Sequence, residues 1–311
     1  MNGARERATA FAPASIGNAA VGFDVLGHTL ASPGDRVTVT RTGSGTVRIV
    51  AIHGVEVALP HEAAANTAGR ALLHLLQEAP PGWGFDVEIH KGIALASGMG
   101  GSAASAVAAV VAANALLPAR LDIAKLYAAA LQGEAAASGA PHGDNVGPAL
   151  LGGLVIATAS GTPVRVPTPE WLHIGLVRPH FALETRRARA VLQGPYELRE
   201  FVAQSEGLAL VLTGCMTNDA DLLRRGLRDV LVEPRRAGLI PGFAGVKAAA
   251  LANGALGASI AGGGPSVFGW FCSAREAERA TEAMSAAFAA AGLQSDRHVS
   301  VVASPGAKVV A

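Results

Sequence analysis

The chain alternates segments in which apolar residues recur at every second position with longer segments in which they recur with a helical period. Apolar and polar residues alternate between positions 85 and 90, which predicts a strand with one buried face. Residues 103–117 contain no glycine, are rich in alanine and valine and stop before Pro118, which predicts a buried helix. The same patterns predict a mixed α+β chain, with strands at residues 37–40, 47–52, 152–157, 172–177, 266–271 and 298–303, and helices at residues 66–76, 122–137, 196–212, 219–231, 244–251 and 274–291.

A loop rich in glycine and serine joins the strand at 85–89 to the buried helix. Residues 94–105 read ALASGMGGSAAS. Free amides in the first turn of a helix and the positive end of its dipole favour a polyanion, and glycines let those amides approach it closely. Neither the Walker loop nor the dinucleotide fingerprint fits, because position 102 is serine and the glycine spacing differs. We therefore expect a phosphate site of another kind, with a simple glycine-rich turn as the alternative.

An acid lies on the apolar face of the helix predicted at 122–137. Its apolar stripe ends at Glu134, after Ile123, Leu126, Tyr127, Ala130 and Leu131. A buried carboxylate is costly unless it is paired or binds a cation. Mg²⁺ prefers oxygen ligands and phosphate oxygens, so Glu134 and the hydroxyl of Ser102 are the predicted Mg²⁺ ligands. In the alternative interpretation, Glu134 reaches solvent or an arginine.

Composition narrows the class of protein. The 311 residues are 50% hydrophobic and 16% charged with a formal net charge of +1, which supports a large core and gives no general attraction to nucleic acid or acidic membranes. Two cysteines without a CxxC pair argue against a disulfide framework or a zinc site. No uninterrupted apolar run reaches the ~20 residues of a membrane span, and the N-terminus lacks the apolar core of a signal peptide. We expect a cytoplasmic enzyme.

A proline- and glycine-rich stretch at residues 160–170 predicts a linker near the middle of the chain. The predicted domains are therefore residues 1–165, which carry the phosphate loop, and residues 166–311.

Two further motifs flank the glycine-rich loop: PASIGNAAVGFDVLG at 13–27 and SIAGGGPSVFGW at 259–270. Between the three lie HGDNVGPALLGG at 142–153, TRRAR at 185–189 and EPRRAGLIPGF at 233–243. In order and spacing the chain resembles the GHMP small-molecule kinases, and among them the homoserine kinases most closely. The resemblance implies a two-domain α+β GHMP kinase fold, with an N-terminal ribosomal-protein-S5-domain-2-like domain, a C-terminal ferredoxin-like domain and the active site between them.

The resemblance also implies an activity: ATP-dependent phosphorylation of the side-chain hydroxyl of L-homoserine to O-phospho-L-homoserine, in threonine biosynthesis. The enzyme would be a homodimer. It would place Asn66 and Lys91 near the adenosine and Mg²⁺ on Ser102 and Glu134. The ATP phosphates would lie along Ala94, Leu95, Ala96, Ser97, Gly98, Met99, Gly100, Gly101, Ser102, Ala103 and Ala104.

For the amino-acid substrate, the resemblance implies a second set of side chains. An ammonium is bound by carboxylate or amide oxygens, and a carboxylate by guanidinium groups, here those of Arg189 and Arg236. Asp24 would first position the substrate and secondly orient the attacking hydroxyl or accept its proton, with Asn145 as its catalytic partner. The implied substrate contacts are Asn18, Asp24, His142, Asn145, Thr185, Arg189 and Arg236.

The chain departs from the family pattern at a few positions. Residues 16, 17 and 19–21 differ beside the acceptor pocket, Ala94 replaces a proline, and Gly101 replaces the first serine of the loop. Ser102 retains the hydroxyl that the metal role requires. Two alternatives stay open at this point: a GHMP kinase for another small alcohol, such as mevalonate or a sugar, and a non-catalytic ligand sensor on the same scaffold.

Overall fold

The computed structural model describes residues 6–139, 141–158 and 161–310. Ser160, where the predicted linker begins, lies outside the described residues, as do residues 1–5 and 311 of the two predicted domains. The predicted boundary between residues 165 and 166 stays a prediction.

Strands and helices are mixed throughout the described residues. The strands are β1 (Arg7–Gly17), β2 (Leu26–Thr42), β3 (Val47–His53), β4 (Gly84–His90), β5 (Leu154–Ile156), β6 (Val164–Val166), β7 (His173–Pro179), β8 (Gly257–Ile260), β9 (Val267–Phe271), β10 (Ser295–Val301) and β11 (Lys308–Val309). The helices are α1 (Thr67–Glu78), α2 (Gly101–Asn114), α3 (Ile123–Ser138), α4 (Gly143–Leu151), α5 (Thr185–Ala190), α6 (Leu198–Thr217), α7 (Ala220–Gly226), α8 (Glu233–Arg236), α9 (Phe243–Ala252) and α10 (Ala274–Ala290), with a 3₁₀ turn at Ala237–Leu239.

The first sheet has the order β11-β1-β2-β4-β3, and β5 and β6 extend it from β2. Its strands pair antiparallel except β3 and β4, which are parallel. The alternation that predicted β4 is confirmed, because Phe85, Val87 and Ile89 are buried and the polar residues between them are partly exposed.

Helix α2 lies inside the protein, packed on β1 and β2 and covered by α1, α3 and α4. Its alanines and valines leave ten of its fourteen residues buried. Small side chains allow this close packing: a Cβ on Gly133 of α3 would lie 2.8 Å from the Cβ of Ala106. The buried helix expected from its lack of polar residues is confirmed, and its first turn opens toward the site.

The second sheet is antiparallel, with the order β10-β7-β9-β8, and α9 and α10 pack against it. The hydrophobic core runs without interruption from the first sheet to this one. At their junction the indole Nε1 of Trp270 donates to Nε2 of His28, 3.1 Å away. Burial lowers the pKa of His28 to about 4, so this imidazole stays neutral and accepts the bond.

The predicted elements are found close to their expected positions, and the differences have physical causes. Residues 227–231, predicted as helix, leave it after Gly226 because the side chain of Asp229 binds the amides of residues 231–233 in a turn. The pattern did not predict β1, whose small residues alternate weakly, or the shorter elements α4, α5, α8, β6, β8 and β11.

Candidate active site

One cavity of about 590 Å³ brings the three sequence motifs together. The glycine-rich loop and the start of α2 form one side, and residues from α5, α8 and the loop after β8 form the other. Every predicted site residue except Ala103 and Ala104 lines this cavity.

The backbone of the glycine-rich loop adopts the left-handed conformation at three positions. Ala96, Gly98 and Gly100 all have positive φ, at 50°, 78° and 67°. Gly98 is also confined, because a Cβ there would lie 2.5 Å from the carbonyl oxygen of Ala261. Gly100 is the N-cap of α2. It has no side chain, so it makes no capping hydrogen bond to the amides of the first helical turn.

Ala103 and Ala104 begin the buried part of α2. Both side chains are fully buried in the core and do not line the cavity. The amide of Ala104 donates to the carbonyl oxygen of Gly100, 2.9 Å away, within the helix. The nucleotide-binding role of the two residues stays a prediction.

Lys91 lies beneath the glycine-rich loop, with only 4% of its side chain exposed. Its ammonium pairs with Asp35 and also donates to the carbonyl oxygen of Gly101, 2.7 Å away, and to the hydroxyl of Ser105, 2.9 Å away. The other oxygen of Asp35 accepts from the amides of Gly92 and Ile93. This Lys91–Asp35 pair therefore ties the beginning of the loop to the beginning of α2. Asp35 was not singled out from the sequence.

Asn66 also lines the cavity and is the N-cap of α1. Its side-chain oxygen accepts from the amides of Ala68 and Gly69, and its side-chain nitrogen donates to Pro60. The side chain thus holds the cavity wall in place at the end predicted for adenosine.

The predicted metal ligands Glu134 and Ser102 lie together. Oε2 of Glu134 accepts from the hydroxyl of Ser102, 2.6 Å away. The carboxylate is buried, as its place in the apolar stripe of α3 predicted, and burial raises its pKa to about 7. The stripe itself is confirmed except at Ile123, which is exposed at the helix start.

Asp144 is a second buried acid in the site, and sequence reasoning missed it. It accepts from the amide of Asn18, 2.9 Å away, and lies next to Asn145 in the first turn of α4. Burial, together with the charge of Asp24, raises the pKa of Asp144 to about 7. An acid in the first turn of a helix is ordinary on sequence grounds, so only its burial distinguishes it.

Asp24 and Arg189 lie on the opposite wall of the cavity and form an ion pair. Two guanidinium nitrogens of Arg189 donate to the two carboxylate oxygens, at 2.6 and 3.1 Å. The backbone at Asp24 has a φ of 57°. Its amide donates a hydrogen bond to the side-chain oxygen of Asn18, which fixes this conformation. The guanidinium of Arg189 also lies over the ring of Phe23.

Arg236 approaches the same aromatic ring with its guanidinium carbon 5.4 Å from the ring centre. It is 98% buried, and its guanidinium donates to the carbonyl oxygens of Ala188 and Gly262. No ion pair joins it to a carboxylate among the described residues. Burial, helped by the charge of Arg189, lowers the pKa of Arg236 to about 10, so it remains a cation at neutral pH.

The other predicted substrate contacts also face the cavity. Asn145 accepts from the hydroxyl of Ser15, 3.0 Å away, and a Cβ on Gly100 would lie 2.8 Å from its oxygen. His142 precedes α4, its Nε2 is buried without a hydrogen-bond partner among the described residues, and burial lowers its pKa. Thr185 begins α5. The predicted residues therefore meet at one place, with Asn145 at the junction with the loop.

The chain matches two family models: the GHMP kinases N terminal domain over residues 66–153 and the GHMP kinases C terminal model over residues 209–290. It is 58% identical to a homoserine kinase of Xanthomonas campestris pv. campestris over 309 residues, which covers 99% of this chain and 95% of that protein. The chain belongs to the homoserine kinase family. A homoserine kinase of Chlorobium phaeobacteroides is 43% identical, with 97% of this chain and 99% of that protein covered.

Solved structures agree with this membership of the homoserine kinase family. The crystal structure of homoserine kinase from Cytophaga hutchinsonii superimposes with a TM-score of 0.95 at 38% identity, covering 100% of this chain and 99% of that one. The L. major mevalonate kinase in complex with R-mevalonate shares the fold alone, with a TM-score of 0.66 at 16% identity and 95% of each chain covered. In the described part of the chain, no helix combines the length and apolar character of a membrane span.

One departure of this chain from the family pattern has a steric reason. Gly17 replaces the alanine of the first motif, and a Cβ there would lie 2.4 Å from Oδ2 of Asp144 and 2.7 Å from the side-chain nitrogen of Asn145. Gly17 therefore leaves room for the two polar side chains at the start of α4.

Proposed function

We propose that this protein transfers the γ-phosphoryl group of ATP to the side-chain hydroxyl of L-homoserine, which yields ADP and O-phospho-L-homoserine for threonine biosynthesis. One observation carries the proposal: a single cavity joins the open N-terminus of α2 to two guanidinium groups, those of Arg189 and Arg236, that both lie over the ring of Phe23. The first end suits a triphosphate and the second a small carboxylate.

The triphosphate would bind along residues 94–104, of which residues 94–102 line the cavity. The Lys91–Asp35 pair supports this segment from beneath and leaves the amides to the phosphates. Positioning of this kind supplies much of the catalysis in phosphoryl transfer.

Homoserine would bind with its carboxylate on Arg189 and Arg236 and its ammonium beside Asp24. Asn18 and Thr185 border this position, and His142 presents a buried ring nitrogen to it. Asn145 lies beside Gly100, and its amide would orient the attacking hydroxyl toward the loop. We assign Asp24 to positioning the substrate and, secondly, to accepting the proton of the hydroxyl.

The donor set at the base of the loop fits Mg²⁺. A buried carboxylate and a hydroxyl, 2.6 Å apart, supply the hard oxygen ligands that this ion takes together with phosphate oxygens. Bound there, Mg²⁺ would neutralise charge on the triphosphate. Glu134 and Ser102 would hold it at the start of α2.

The homodimer implied by the family resemblance and the cytoplasmic location expected from the composition are proposed with this function. Light scattering of the purified protein tests the first and fractionation of the native cell tests the second.

The deciding experiment is a coupled assay of ADP release with homoserine, mevalonate, shikimate and galactose as acceptors. We expect turnover with homoserine alone, at a kcat/KM at least 100-fold above that of the other three. If only an acceptor without an amino group is turned over, that acceptor and not homoserine is the substrate. Nucleotide binding without transfer to any acceptor would instead identify a ligand sensor.

A further inference from the structure

Two histidines and a glutamate converge on the solvent face of the first sheet, away from the cavity. Strands β3 and β4 are parallel, and His53 lies opposite His90 in their register. Glu88 points to the same face of β4 as His90 because it lies two residues earlier. Nε2 of His53 and Nε2 of His90 lie 3.2 and 3.0 Å from the same oxygen, Oε1 of Glu88.

The separations of these atoms match those of metal ligands. One ligand atom from each side chain lies within 4.8 Å of the other two. In a tetrahedral zinc site with Zn–N bonds of about 2.0–2.1 Å, neighbouring ligand atoms are about 3.3–3.4 Å apart. The two histidines are exposed and Glu88 is partly exposed, so an ion can reach the three side chains from solvent.

The surroundings keep the donors in place and open to solvent. The two imidazole rings are stacked with their centres 4.5 Å apart, and about half of each histidine side chain is exposed. Arg7 approaches only the other oxygen of Glu88, at 3.5 Å, which leaves Oε1 to the two rings.

We propose that His53, Glu88 and His90 form a surface site for Zn²⁺ or a similar divalent transition metal, with water completing the coordination. Two imidazoles and a carboxylate suit zinc better than Mg²⁺, which prefers oxygen ligands alone. The three residues meet only when β3 pairs with β4, so the ion binds the folded chain and stabilises it. It would also brace the strand ends beside Lys91, whose amide donates to the carbonyl oxygen of His53, 2.9 Å away.

The test is zinc binding by protein without a polyhistidine tag, freed of metal with EDTA and exchanged into buffer without ATP or Mg²⁺. Titration against a chromophoric zinc chelator gives the number of equivalents and their Kd for the wild type, His90→Gln and His53→Gln. We expect each variant to lose one equivalent or to bind it at least tenfold more weakly. Zinc should also raise the melting temperature of the wild type more than that of either variant.

His180→Gln is the matched control, because His180 is exposed and lies 3.0 Å from a carboxylate oxygen of Asp296 but belongs to no three-ligand group among the described residues. It should bind zinc as the wild type does. Any zinc that binds at Glu134 or Asp144 does so in the wild type and in all three variants, and it therefore does not affect the comparison. Circular dichroism in EDTA shows which variants are folded, and two folding variants give independent results. Wild-type stoichiometry and affinity in a folded His90→Gln or His53→Gln protein would overturn the proposal.

Discussion

Arg189 donates to both carboxylate oxygens of Asp24, at 2.6 and 3.1 Å. In the proposed function these two side chains bind opposite ends of homoserine, the carboxylate and the ammonium. A zwitterion can exchange with this pair and give each side chain a new partner. Mevalonate has only the carboxylate, so it satisfies one side chain and separates it from the other, and an uncharged sugar satisfies neither; both acceptors are therefore disfavoured.

The first prediction concerns the geometry of this pair. Arg189→Lys keeps the charge but removes the two-pronged donor, so the KM for homoserine should rise about 10- to 100-fold, as expected when a charge-assisted bond worth about 1.5–3 kcal/mol is lost. The KM for ATP should stay within about twofold. Steady-state kinetics with each substrate varied in turn measures both.

Arg187→Lys on the same helix is the control, because Arg187 is exposed and does not line the cavity. Equal effects of the two substitutions would contradict a substrate role for Arg189.

The second prediction concerns Mg²⁺. Glu134→Gln keeps the size of the side chain and its contact with Ser102 but removes the charge, so Mg²⁺-dependent turnover should fall at least 100-fold with the fold retained. Titration of activity with Mg²⁺ at saturating ATP, alongside circular dichroism, measures this.

Glu278→Gln serves as the comparison, since Glu278 is exposed on α10. Near-normal activity of Glu134→Gln at low Mg²⁺ would rule out a metal role for Glu134.

The third prediction concerns pH and stability without Mg²⁺. Burial raises the pKa values of Glu134 and Asp144 to about 7, so the folded chain holds these protons more tightly than the unfolded chain does. Their contribution to the free energy of unfolding therefore falls as pH rises from about 4 to 7 and is constant above that range. Urea unfolding at pH 5 and pH 8 in EDTA measures it.

In the double variant Glu134→Gln/Asp144→Asn, the loss between pH 5 and pH 8 should be smaller by about 2–5 kcal/mol. An unchanged loss in the double variant would show that neither acid titrates in this range.

The fourth prediction concerns the Lys91–Asp35 pair beneath the loop. Asp35→Asn leaves the ammonium of Lys91 buried without its counter-charge, so the free energy of unfolding should fall by about 3–5 kcal/mol. The KM for ATP should rise at least tenfold, because Asp35 also binds the amides of Gly92 and Ile93. Chemical unfolding and kinetics test the two effects separately.

The double variant Asp35→Asn/Lys91→Met removes both charges and should recover part of the stability but not the KM for ATP. Recovery of both together would indicate that the pair contributes only to stability.

Sequence patterns predicted much of the architecture because long buried elements impose clear periods. The strand at 85–89 and the alanine-rich helix that follows are examples, and Glu134 was recognised because it interrupts an apolar stripe. Local patterns do not show long-range partners. Lys91 was recognised as a site residue, but its ion pair with Asp35, 56 positions earlier, was not predicted. Asp144 was missed for the same reason, since its burial comes from packing against residues 17–18.

The short strand β11 pairs with the outer edge of β1, with Val309 opposite Ala10. Nearby, the amide of Ala307 donates to Ala149 and the carbonyl oxygen of Ser304 accepts from the hydroxyl of Thr29. During synthesis on the ribosome, almost three hundred residues are therefore added after β1 before β11, the partner of this edge, is made. An unpaired strand edge is a template for aggregation, so the nascent chain is most vulnerable during that interval.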